Sequence, residues 1–82
     1  MKGNKKMTFN IKLKEINDVY KLVNILVGFD GDVDLESGKY KVDGKSILGI
    51  FSLDLRQPIK LTYEEEAGAE SLRDQLKDFI VE

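Results

Sequence analysis

Polar and apolar residues alternate from Thr8 through Phe9, Asn10, Ile11 and Lys12 to Leu13, a period of two that predicts a half-buried strand. The period then lengthens. Ile16, Val19, Tyr20, Val23, Leu26 and Val27 recur at helical spacing, and Leu22 and Ile25 widen the apolar face. Asn17 or Asp18 is the expected cap of this helix, and Gly28 its end. Alternation returns at 32–36, with Val33 and Leu35 on one side. Ser37-Gly38 turns the chain, and Tyr40 and Val42 alternate with Lys39, Lys41 and Asp43, so the two runs predict a hairpin. Asp43-Gly44 turns it again. Ser46 stands at a helix N-cap before an apolar run over 47–53, and Pro58 closes the connection that follows. Ile59, Leu61 and Tyr63 predict the last strand. Glu64, Glu65 and Glu66 predict the start of a final helix, where acidic groups suit the positive end of the dipole. Ala69, Leu72, Leu76, Phe79 and Ile80 form that helix's core side. The order β-α-β-β-α-β-α implies an α+β fold, a two-layer sandwich with helices on one face of an antiparallel sheet.

The short helix over 47–53 carries more apolar surface than one sheet can cover, and no charge. Ile50 and Leu53 lie three apart on one side. Ile47, Leu48 and Phe51 lie on a neighbouring side and are expected to remain partly exposed. Clustered exposed apolar groups mark protein-binding surfaces, so these three are the candidate partner-binding residues. The plainer reading is that the final helix or a loop covers them.

Composition removes whole classes of chemistry. The chain of 82 residues has neither Cys nor His, which excludes disulfides, thiol nucleophiles, catalytic triads and the usual transition-metal ligands. No catalytic residue, metal site or cofactor is therefore expected, and the chain is not expected to be an enzyme. Its net charge of −2 supplies no basic field for nucleic acid. No apolar run approaches the roughly 18 residues of a membrane span, and no signal peptide is visible, so no membrane association is expected. A cytoplasmic location follows as an expectation. Lys2, Lys5 and Lys6 suggest that residues 1–6 are a flexible tail, with Met7 as an alternative start and 7–82 as one domain.

Asp32-Val33-Asp34-Leu35-Glu36, Gly38-Lys39, Val42 and then Lys45-Ser46-Ile47-Leu48-Gly49-Ile50-Phe51-Ser52-Leu53 strongly resemble HPr, the phosphocarrier family of the phosphoenolpyruvate-dependent sugar phosphotransferase system. The resemblance is good over about 28–82 and weaker over 7–27. It implies an open-faced β-sandwich, with a four-stranded antiparallel sheet of order 1-4-2-3 covered on one face by three helices. The family carries Gly-x-His-x-Arg-Pro at its first turn, where the histidine accepts phosphate. Here the turn reads Leu13-Lys14-Glu15-Ile16-Asn17-Asp18, without His, Arg or Pro and with carboxylates where an anion would sit.

The serine matching Ser46 is, in Gram-positive relatives, phosphorylated by HPr kinase/phosphorylase, after which the protein acts with a transcription regulator. A branch of the family, the catabolite-repression HPr called Crh, lacks the histidine and keeps this serine. The resemblance thus implies a regulatory, protein-binding module phosphorylated at Ser46, with that kinase, phosphotransferase-system proteins or a transcription regulator as partners. Ser46 is equally explained as a plain N-cap, a role compatible with phosphorylation. Two alternatives stand beside this reading: a genuine phosphocarrier with a non-histidine acceptor, and a small self-associating or ligand-binding α+β module.

Overall fold

The segments of period two become the sheet. The computed structural model describes residues 7–65 and 68–81. Among these residues the order is β1 (Met7–Ile11), α1 (Ile16–Leu26), β2 (Val33–Ser37), β3 (Tyr40–Asp43), α2 (Ile47–Phe51), β4 (Ile59–Tyr63), α3 (Ala69–Gln75) and β5 (Ile80–Val81). The expected tail over 1–6, and Glu66 within the expected acidic helix start, lie outside the described residues.

All strand pairs are antiparallel, and the sheet runs β3-β2-β4-β1-β5. The expected order 1-4-2-3 is therefore present, with one strand added at the free edge of β1. Register explains which side is buried. Phe9, Leu61, Leu35 and Val42 stand abreast and face the helices, whereas Thr8, Thr62, Asp34 and Asp43 form the next row on the open face. An ion pair of 3.8 Å between Lys41 and Asp34 lies on that open face and adds little stability in water. The β2–β3 turn places Gly38 at φ 60°, the positive value that a two-residue type II′ hairpin needs at its first central position.

The three helices close one core over the sheet. Val19, Leu22, Val23 and Leu26 of α1, Ile50 of α2 and Ala69 and Leu72 of α3 meet Ile11, Leu35, Ile59 and Leu61 below them. Gly44 is buried at the end of the hairpin, and a Cβ there would lie 2.7 Å from a methyl of Val33 and 3.2 Å from one of Leu26. No helix among the described residues is long and apolar enough to cross a membrane.

Three boundaries depart from the sequence expectation. Helix α1 starts at Ile16 with Glu15 as its extended N-cap, not at Asn17 or Asp18. Asp18 instead sits at the third helical position and reaches back. Helix α2 stops at Phe51, before Leu53, because Ser52 is its C-cap. Helix α3 begins at Ala69, after Glu64 and Glu65, and ends at Gln75. Its continuation does not stay helical to Ile80, because backbone groups there find better partners on β1: Asn10 pairs with Val81, Ile11 with Ile80, and the Lys12 N–H donates to the Phe79 carbonyl at 2.8 Å.

Candidate functional site

The site grows from the first turns of two neighbouring helices. Every helix start exposes N–H groups that have no partner within the helix. In α2 the Ser46 hydroxyl accepts the Gly49 N–H at 3.1 Å, which the extended backbone of Ser46 allows. Gly49 also lets α2 lie close to β3, since a Cβ there would come within 3.2 Å of both the Ser46 hydroxyl oxygen and Val42. The preceding Lys45 does not reach outward. Its half-buried ammonium donates to the Phe29 carbonyl at 2.6 Å, and its N–H to the Asp43 carboxylate at 2.9 Å, so the entry to α2 is held from both sides.

At the start of α1 a carboxylate supplies the capping. Asp18 Oδ2 accepts the Lys14 N–H at 2.9 Å and the Glu15 N–H at 3.2 Å. The Lys14 N–H does most to hold the Asp18 carboxyl below its ordinary range; desolvation opposes it next in size, and the Glu15 N–H and the charges of Lys21 and Lys14 add to the lowering. An acidic side chain of the protein itself therefore takes up the Lys14 and Glu15 N–H groups just before the helix. Nearby, Lys12 Nζ donates to the Arg56 carbonyl, and Arg56 clasps Asp54 through contacts of 3.0 and 3.3 Å. The Arg56 side chain, which donates to Asp54, is the main cause holding that carboxyl low.

The four sequence-predicted site residues fall differently. Ser46 and Ile47 are both partly buried, and Ile47 packs against the core as well as touching solvent. Leu48 is 83% exposed and Phe51 38%. Ile50, between them, is fully buried, as its spacing predicts. The split of α2 into a core side and an outer side is thus present, with Ile47 on the boundary.

Two residues that periodicity assigns to the core belong to this surface instead. Ile16 is 68% exposed and Tyr20 45%. The Tyr20 ring meets Phe51 edge-on at 6.1 Å between centroids, which joins α1 to α2 across the surface. At 3.6 residues per turn, Ile16, Tyr20 and the exposed Val27 share one edge of α1 about 40° wide, beside the buried arc of Val19, Leu22, Val23 and Leu26. Only about 20° around the helix separates Ile16 from the buried Val23, so spacing alone does not divide this edge from the core. The result is an apolar, uncharged ridge of Ile16, Tyr20, Leu48 and Phe51, with Ser46 at the start of one of its helices. Among the described residues no group of three or more carboxylates is placed to hold a metal ion.

An open-faced α+β sandwich with strand order 1-4-2-3 at its centre is the architecture that the resemblance to the small phosphocarrier proteins implies. No family model and no curated protein matches the chain. Solved structures do. HPr-C-His from Thermoanaerobacter tengcongensis superposes with a TM-score of 0.71 at 30% identity, over 90% of this chain and 92% of that one. The phosphocarrier protein HPr from Bacillus anthracis str. Ames does so with a TM-score of 0.72 at 22% identity, over 95% of this chain and 99% of that one. The chain belongs to the HPr family.

Proposed function

We propose that this protein is a member of the HPr family that does not relay phosphate and acts as a protein-binding, regulatory module through the ridge of Ile16, Tyr20, Leu48 and Phe51, with Ile47 at its margin and Ser46 as the modifiable residue. The observation that carries this reading is the pairing of an uncharged exposed ridge with a first turn closed by Asp18. Phosphorelay on this scaffold needs an imidazole, and the chain has no histidine. An acyl phosphate on Asp18 would have to form on a carboxylate whose Oδ2 already accepts the Lys14 and Glu15 N–H groups. Such sites also use a metal ion to neutralise the incoming charge.

Ser46 is suited to modification on two counts. It is partly exposed, and a phosphate there would lie at the N-terminal end of α2 beside Leu48. The added charge would change a neutral ridge into one flanked by an anion, and so alter which partner surface it fits. The partners this reading favours are HPr kinase/phosphorylase, other phosphotransferase-system proteins or a transcription regulator, all in the cytoplasm, and the protein itself is not an enzyme.

The test uses two reactions on the intact chain. With HPr kinase and ATP, intact-mass measurement is expected to show one added phosphoryl group, lost in Ser46→Ala. With enzyme I and phosphoenolpyruvate, no acid-labile phosphate is expected. An unshifted mass in the first reaction removes the role of Ser46; labelled phosphate in the second overturns the reading as a whole.

A further inference from the structure

We draw no further inference here: the strongest candidate, the uncharged ridge that Ile16, Tyr20, Leu48 and Phe51 form between α1 and α2, belongs to the site already described, and nothing in the structure shows what covers it.

Discussion

Leu48 and Ile50 are two residues apart on α2, yet they should differ in their contribution to stability by more than a factor of five. Leu48 is 83% exposed, so folding removes only about a fifth of its side chain from water. Full burial of a leucine stabilises by about 2 kcal/mol, so Leu48 contributes about 0.4 kcal/mol. Leu48→Gln keeps nearly the same helix propensity, which isolates that burial from the preference of the backbone. Ile50 is fully buried between α1 and the sheet. Ile50→Ala removes its transfer energy and leaves a cavity, a loss of about 2–5 kcal/mol. For a domain of this size 1 kcal/mol corresponds to about 4–8 °C in Tm. Leu48→Gln should therefore lower Tm by no more than about 3 °C, and Ile50→Ala by at least about 8 °C, with urea titration giving the same ranking. A loss above about 1.5 kcal/mol in Leu48→Gln would show that the ridge is packed in solution, and the proposed docking surface would go with it.

Other outcomes follow from single contacts. Asp18→Ala should cost about 1 kcal/mol at neutral pH, because two N–H groups lose their acceptor. The folded Asp18 carboxyl titrates below its unfolded value of 3.8, so this stabilisation is full above that pH and fades as pH falls through the folded value. Urea midpoints of wild type and Asp18→Ala should converge as pH falls below 3.8, and a gap that stays constant would refute the charge-based account. Ser46→Ala should cost about 0.5–2 kcal/mol through loss of the Gly49 contact, whereas Ser46→Asp, which keeps an acceptor, should cost less; equal losses in thermal unfolding would count against capping. Gly44→Ala should destabilise by about 1–3 kcal/mol, since the new methyl meets Val33 and Leu26 inside the core, and a neutral result would show that the hairpin end can shift.

Strands and the hairpin were legible because a period of two, bounded by Ser37-Gly38 and Asp43-Gly44, admits few other readings. The start of α1 was not. Capping rules look for a short polar side chain at the boundary, whereas here Glu15 stands at the N-cap and Asp18 works backward from inside the helix. Strand β5 escaped for a different reason. Two residues cannot display a period, and Phe79 and Ile80 continue the helical spacing of Leu72 and Leu76, so only the unfilled edge of β1 identifies Ile80 and Val81 as strand. At the site, the core and outer sides of α2 could be read from a spacing of three residues. Ile16 and Tyr20 could not be separated from the buried arc until α2 was known to end beside them and bring Phe51 against Tyr20. Apolar residues at the margin of a helical face are divided by the neighbouring element, which periodicity does not contain.

The place of β1 has a consequence for how the chain is made. Among the described strands it is the first in the chain, and its two neighbours, β4 and β5, are the last. While residues 12–58 emerge, β1 has no mate in the sheet, and the hairpin of β2 and β3 can form without it. At roughly 5–20 residues per second of translation, Phe9 and Ile11 wait several seconds for a covering. The sheet around β1 can therefore be completed only late, once residues 59–63 slot between β1 and β2 and residues 80–81 reach the outer side of β1.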